Sequence, residues 1–406
     1  MTSHSSHGLR VIGLISGTSV DGIDVAAADL HAEGGTVVLT PLGELDVPYP
    51  EPVRAGLLDA LPPNPCSAER LTRLDTQVGQ AFAEAAARGV RELAGGHTDL
   101  IASLGQTVFH WVENGAVHGT LQLGQPAWIA ERTGLPVIAD LRVRDVAAGG
   151  HGAPLASTLD ALWLATFAED TGRPVAALNL GGIANITVVR TGSPALAYDT
   201  GPANALLDLA ATRATGGAQS SDVDGRFALR GSVRAELLTR LLADPYFTAP
   251  PPKSTGKEYF NAGFLDTATA GLPPLSAEDL LATLTEFTAA TVAAECRRHH
   301  VGTVIVSGGG AANPALMAAL ARNLPATGLK TSDDLGLPGA GKEAYLTALL
   351  GWLGWCGVPA SVPSATGARG PRLLGALTPG AGPLTLPAPL GGAVTRMRVA
   401  EKAAQR

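Results

Sequence analysis

Short apolar runs along the chain alternate with longer stretches in which apolar residues recur every three or four positions. Val11–Ile15, Asp99–Ser103, Ala176–Leu180 and Thr303–Ser307 are strand-forming runs, each leading into glycine. Runs of this length suit strands buried on both faces of a sheet. Between them Leu71, Leu74, Val78 and Phe82 recur at helical spacing behind the candidate cap Ser67, and the pattern stops at Gly95-Gly96. A second helix is predicted from Ser276, with Asp279 three residues on and Leu280, Leu284 and Phe287 on one stripe. A third follows Asn313-Pro314, a cap and a first-turn proline, with Leu316, Leu320 and Leu324 aligned. The alternation predicts an α/β fold with mixed or parallel sheets.

Two stretches share one plan of strand, glycine-rich turn and strand: GLISGTSVDGIDVAAADL near the start and ALNLGGIANITVV near the middle. They suggest an internal duplication, and Thr171–Pro174 reads as the linker between halves. At 406 residues the chain exceeds one comfortable core, so two domains are expected. We place them at 1–172 and 173–360, with 361–378 packing back on both and 379–406, rich in proline and glycine, as a flexible tail.

Charge narrows the partners. The net charge of −7 argues against nucleic acid and anionic membrane, so a phosphate-bearing ligand needs local glycine-rich backbone and helix N-termini. Cys66, Cys296 and Cys356 show no metal or disulfide spacing. No apolar run approaches the ~18 residues that span a bilayer. The first residues lack the order of a signal peptide. The expectation is a cytoplasmic, soluble chain.

Three segments could carry chemistry. Ser16, Gly17, Thr18 and Ser19 form a turn whose amides and hydroxyls suit a phosphate, and Asp21 and Asp24 follow with carboxylates that could hold Mg²⁺. The same residues also suit an ordinary polar hairpin turn. Asp199 stands at the end of an apolar run before Gly201-Pro202, where a general base could sit at a rim or a carboxylate could cap the next helix. Gly308–Gly310 follows a buried strand and precedes the helix at Asn313, which suits either a ligand's close approach or a tight turn. Gly336–Lys342 fits GxxxxGK, but Glu343 stands where a P-loop needs Ser or Thr, and the segment reads as a turn opening a helix. Lys253–Asn261 reads equally as a cationic or a solvated loop. Arg142, Arg144 and Asp145 before the glycines at 149–152 read as an anion loop or a surface salt-bridge cluster.

Together these segments resemble the anhydro-N-acetylmuramic acid kinases from about Gly13 to Leu377. The pieces include GLISGTSVDGID, LDTQVGQ, GQTVFH, RDVAAGGHGAPL, LNLGGIANIT, YDTGPAN, PKSTGKEYFN and SGGGAANP. The resemblance implies a two-lobed actin/hexokinase-like (ribonuclease H-like) fold with mixed sheets and a nucleotide cleft between lobes. It implies ATP and Mg²⁺ as cofactors and an anhydrosugar as substrate, with a homodimer left open. Ser16, Gly17, Thr18, Ser19, Val20, Asp21, Gly22, Ile23 and Asp24 would form the phosphate turn, with Asp21 toward the metal. Gly181, Gly182, Asn185, Gly308, Gly309 and Gly310 would meet the nucleotide. Asp199 would be the general base, and Gln106, Arg144, Asp145 and Glu343 would line the sugar. The family's usual histidine, arginine and glutamine are replaced here by Leu104, Val143 and His151, so another anhydrosugar such as levoglucosan is the alternative substrate. A non-catalytic sensor of the same fold is the alternative class.

Overall fold

A computed structural model describes residues 8–17, 19–251 and 253–401. The chain forms two units: residues up to Trp163 together with those from Gly336 onward, and Leu164–Leu335. The first unit opens with β1 (Leu9–Ser16), β2 (Gly22–Glu33) and β3 (Thr36–Pro48), then α1 (Glu51–Ala60) and α2 (Ala68–Glu92). It continues with β4 (Leu100–Glu113), β5 (Ala116–Leu123), α3 (Pro126–Thr133), β6 (Val137–Ala139) and α4 (Val143–Ala147). Helix α5 (Ala156–Thr171) leads into the second unit. There β7 (Val175–Leu180), β8 (Ile183–Arg190) and β9 (Ser193–Pro202) precede α6 (Asn204–Ala214), α7 (Ala235–Leu242), α8 (Ala262–Thr269) and α9 (Ala277–Arg298). The unit closes with β10 (Thr303–Ser307), α10 (Pro314–Asn323) and β11 (Gly328–Thr331). The chain then returns to the first unit as α11 (Lys342–Trp355), α12 (Pro363–Thr366), β12 (Ala376–Thr378) and β13 (Arg396–Val399).

Both sheets are mixed and share one topology. In the first, the order is β12-β6-β4-β1-β2-β3-β13, with β5 paired to β4. Strands β1, β2 and β3 run as an antiparallel meander, and β4 lies parallel to β1 on its other side. The second repeats this as β11-β10-β7-β8-β9: an antiparallel meander with β10 parallel to β7. The duplication expected from the two glycine turns thus extends to strand order.

The apolar runs are buried on both faces, as their composition requires. Ile12, Leu14, Val25 and Ile101 pack with Leu74, Val78 and Phe82 of α2. The opposite face of β1 meets α11 at unusually close range. A methyl group on Gly13 would collide with the Ala344 carbonyl and lie 2.6 Å from the Ala348 nitrogen, and one on Gly351 would collide with Ala102. The predicted caps hold: Ser67 accepts from Arg70 N–H, Ser276 from Asp279 N–H, and Asn313 from Ala315 and Leu316 N–H. In the second unit α9 and α10 bury Val292, Leu316 and Leu320 on Leu178, Val304 and Val306.

The units differ from the expected boundaries in three places. The first break falls between Trp163 and Leu164, inside α5, rather than at 172/173. Helix α11 was expected within 173–360 but packs on the first unit's sheet, where Gly13 and Gly351 let its backbone approach β1 and β4 closely. The tail expected to be flexible from 379 instead pairs Arg396–Val399 in parallel with Thr36–Leu39, with Met397 buried. Proline and glycine content made the tail read as flexible, whereas one apolar side chain on the inner face of its last strand seats it at a sheet edge. Among the described residues no helix is long and apolar enough to cross a membrane.

Candidate active site

In the first unit the turn between β1 and β2 lies at the carboxyl end of β1, beside Gln106 in the middle of β4. It closes through Val20 N–H donating to the Gly17 carbonyl (3.2 Å). Val20 has a φ of 56°, strained for a β-branched residue, and its fully buried side chain in the α2-side core holds it there. Ile23 is fully buried too, so Val20 and Ile23 can offer a ligand only backbone. Gly17 is different. Its φ lies outside the left-handed region, and a methyl there would meet nothing nearer than Ser19 Oγ at 3.7 Å among the described residues. Neither backbone nor packing asks for glycine there. Thr18, also assigned to this turn, lies outside the described residues. Gly22 is demanded by its neighbour, since a methyl would collide with Asp46 Oδ1.

Gln106 corrects the sequence reading. It is fully buried, and its Nε2 donates to the Gly17 carbonyl (3.1 Å) and the Thr107 carbonyl (3.1 Å). Its Oε1 lies 2.6 Å from Ser16 Oγ and 3.3 Å from Tyr49 OH. With both ends engaged, Gln106 holds the turn rather than a sugar. Asp145 is likewise withdrawn. Fully buried, it accepts from Gly152 N–H (2.9 Å) and Thr366 Oγ1 (2.9 Å), which ties the glycine loop to the C-terminal segment. Arg144 is exposed, whereas Arg142 is the half-buried base whose charge interacts with Glu343. Arg142 donates from Nη1 to the Gly152 carbonyl (2.7 Å), and its buried Nε has no partner among the described residues. Glu343 stands exposed in the first turn of α11, where a carboxylate suits the helix dipole. Lys342 pairs with Asp160 Oδ1 at 2.7 Å, so the GxxxxGK segment is indeed a helix-opening turn.

Asp24 gathers negative charge. Burial first, then Asp46, Glu343, Asp21 and Glu44, push its carboxyl up to about 6. Exposed Asp21 accepts from Ser19 Oγ (2.8 Å). No group of three or more His, Cys, Asp or Glu side chains is arranged to hold a metal among the described residues. Mg²⁺ fits this turn as Mg²⁺ usually binds, through one or two carboxylates with the remaining ligands from phosphate and water.

The sign of Asp24's effect is testable. A carboxyl raised above its ordinary range favours folding while protonated, and that contribution is lost as pH rises from about 4 through about 6. Asp24→Asn is therefore expected to be more stable than the parent at pH 7. The gain is on the order of 1 kcal/mol after allowance for solvent screening, and it vanishes near pH 4. Melting curves at the two pH values check this.

In the second unit the parallel strands β7 and β10 bring their carboxyl ends together, with Asn179 opposite Ser307. Gly181-Gly182 and Gly308–Gly310 therefore share one sheet edge. Gly308, at φ 82°, would drive a methyl into Asn179 Oδ1, and Gly310 would drive one to 2.6 Å from Leu180 Cβ. Gly309 is open, its nearest atom Asn204 Nδ2 at 3.8 Å, and a methyl on Gly181 would meet nothing nearer than the Ile183 carbonyl at 3.6 Å. The Gly181 and Gly182 carbonyls accept from Asn204, Ala203 and Ala205 N–H (3.0 Å each), so the start of α6 is satisfied by the β7–β8 turn.

Asp199 does not cap α6, whose preceding residue is Ala203 and which has no side-chain cap. It lies within β9 opposite Asn185, at a bulge that leaves Thr200 unopposed. Bulges re-aim side chains beside active sites. Its Oδ2 accepts from Ser254 Oγ and Thr255 N–H, both at 3.0 Å, and no such bond reaches Oδ1 among the described residues. Burial raises its carboxyl above the ordinary range, and the two hydrogen bonds partly oppose this. The residues that hold Asp199 come from the Lys253–Asn261 motif, which charge counting alone left undecided between a binding loop and a solvated one.

The chain is thus two α/β units of one topology, the first with an open turn at Gly17, the second with an open Gly309 and a half-buried Asp199 bonded through one oxygen. The family model for anhydro-N-acetylmuramic acid kinase matches residues 9–380. The anhydro-N-acetylmuramic acid kinase of Streptomyces coelicolor is 56% identical over 96% of this chain and 99% of its own length. That of Rhodococcus erythropolis is 51% identical over 92% of this chain and 94% of its own. Solved structures are more distant. A ROK hexokinase from Thermus thermophilus is 19% identical, covers 84% of this chain and 99% of its own, and gives a TM-score of 0.36. The ADPNP-bound activator of a Clostridium difficile dehydratase is 13% identical, covers 85% and 94%, and gives 0.39. The chain belongs to the anhydro-N-acetylmuramic acid kinase family.

Proposed function

We infer that the chain is an ATP-dependent kinase that opens the 1,6-anhydro ring of 1,6-anhydro-N-acetylmuramic acid with water and phosphorylates O6. Asp199 carries the reading: a carboxylate fixed through Oδ2 has Oδ1 left to take a proton. In the reaction Asp199 removes a proton from water as the water oxygen bonds to the anomeric carbon. The anomeric C–O6 bond breaks, and O6 takes the γ-phosphoryl group as ADP leaves. Water needs a base on the face opposite the leaving oxygen, as in inverting glycosidases. Because phosphorylation neutralises that oxygen, a second acid is not required. Ser16 and Gln106 keep the Gly17 carbonyl and the turn in place, and Gly17 and Gly309 leave backbone open to approach. Bound ATP with Mg²⁺ supplies the phosphoryl group and charge neutralisation. Arg142 and Glu343 are proposed to face the sugar in place of Gln106, Arg144 and Asp145. The site of action is proposed to be the cytoplasm.

Mass spectrometry of the product made in ¹⁸O water tests the reaction. Label at the anomeric oxygen with phosphate on O6 is the expected result. Unlabelled product, or turnover of levoglucosan with none of the muramic sugar, would overturn it.

A further inference from the structure

Beneath Asp199 the second unit buries an ion pair that the proposed reaction does not use. Lys253 Nζ and Glu295 Oε1 lie 3.1 Å apart, with side chains 6% and 4% exposed. Removing two charges from water is costly, and such a pair is a weak source of net stability, so its connections matter more than its energy. Those of Lys253 lead to Asp199. The Lys253 carbonyl accepts Asp199 N–H at 3.0 Å. The next two residues, Ser254 and Thr255, supply both bonds to Asp199 Oδ2. The Lys253 ammonium donates to the Tyr246 carbonyl (3.1 Å) and sits 4.8 Å from that ring's centroid, while Tyr246 OH donates to the Asp199 carbonyl (2.8 Å). Beyond the β8–β9 ladder, each hydrogen bond to Asp199 among the described residues thus comes from Lys253, its two successors, or the tyrosine that Lys253 holds.

Glu295 is a firm anchor. Its Oε2 accepts from Tyr198 OH (3.0 Å) and lies 3.1 Å from Arg298 Nε. Tyr198 precedes Asp199 on β9, so the pair reaches the residue from both sides of the chain.

We propose that Lys253, anchored on Glu295 of α9, is the positioning residue that fixes the Asp199 carboxylate and determines which of its oxygens is left to act as base. The proposal rests on the reading of Asp199 as the base. An apolar residue could fill the same space, but only a long cationic stem can bond Tyr246 and Glu295 at once while its backbone holds the Ser254-Thr255 turn.

The groups facing this clamp are Tyr198, Tyr246, Glu258, Cys296, Arg298, His299 and Arg190. His299 lies 2.7 Å from Tyr198 OH and 2.8 Å from Arg190 Nη2, and burial, then Arg190, lower it below the usual histidine range. The Cys296 thiol is pushed up to about 12 by burial. The thiol therefore stays neutral across the acid limb, whereas His299 gains charge there; because Glu295 raises His299, losing Glu295 would move that titration to lower pH, opposite to the shift expected of Asp199.

The test compares pH profiles of kcat/KM for the parent, Lys253→Met, Lys253→Met/Glu295→Gln and Asp199→Asn, with 1,6-anhydro-N-acetylmuramic acid and Mg-ATP. Lys253→Met keeps the stem and removes the charge. The double variant removes both charges, so no buried ion is stranded if the single variant fails to fold. Both are expected to lose roughly 10-fold or more in kcat, the scale of misplaced catalytic groups, with KM for ATP unchanged. Their acid limb should move to higher pH, because the bonds from Ser254 and Thr255 that favour the carboxylate are loosened. A purely structural role would lower stability without moving that limb. A folded variant with an unmoved limb and parental kcat overturns the clamp. If Asp199→Asn itself turns over normally, the base assignment fails instead, so the two failures are told apart.

Discussion

Asp199→Asn is expected to bind ATP as the parent does and to lose at least about 10²-fold in kcat, the scale of general-base catalysis. The substitution is nearly isosteric. The amide oxygen can still accept from Ser254 Oγ and Thr255 N–H, the two donors that now serve Oδ2. What disappears is an atom that can take a proton from water. The backbone bonds of residue 199 to Lys253 and Tyr246 do not depend on the carboxylate, so the β9 bulge should survive. Burial already disfavours the charged form of Asp199, so removing the charge is not expected to lower the melting temperature. Steady-state kcat with the muramic sugar and calorimetric titration with ATP separate the two effects. Parental kcat would return Asp199 to a role in the strand bulge.

The parts of this molecule that could be read from sequence are those whose cause is local. Helices α2, α9 and α10 follow from a cap, a 3.6-residue stripe and a stop, all within one window. The buried strands follow from apolar runs against glycine, and the duplicated turn was visible because both copies keep the same short plan. Other features depend on partners far away in the chain. Whether Gln106 is a ligand or a brace is decided by Ser16, 90 positions earlier. Asp145 is removed from the candidate site by Thr366, 221 positions later. No motif reports such satisfaction, because a buried amide with four partners and an open one have the same letter. The unit to which α11 belongs is hidden for the same reason, since it is decided by two glycines that admit a backbone. Lys253 shows the opposite error: its charge suggested solvent or an anion, while its ammonium is buried on Glu295.

The glycines of GLISGTSVDGID divide into two kinds, and substitution should separate them. Gly13→Ala is expected to destabilise the protein by about 3 kcal/mol or more, at the upper end of overpacking. The added methyl would meet the Ala344 carbonyl and, at 2.6 Å, the Ala348 nitrogen. Both are backbone atoms of α11, so no side chain can swing aside. The helix cannot easily retreat, because Gly351 rests on Ala102 and Lys342 is paired with Asp160 in the same unit. A drop of several degrees in Tm should follow. Gly17→Ala, four residues on, should leave Tm within the range of a neutral surface change, about 0.5 kcal/mol, since the methyl enters open space. Its effect should fall on KM for ATP, which is expected to rise because the methyl occupies the approach that a phosphate needs. Melting curves and ATP titrations of the two variants check both halves. Parental melting of Gly13→Ala would remove the account of how α11 seats on β1, and an unchanged KM in Gly17→Ala would remove the β1–β2 turn from the phosphate site.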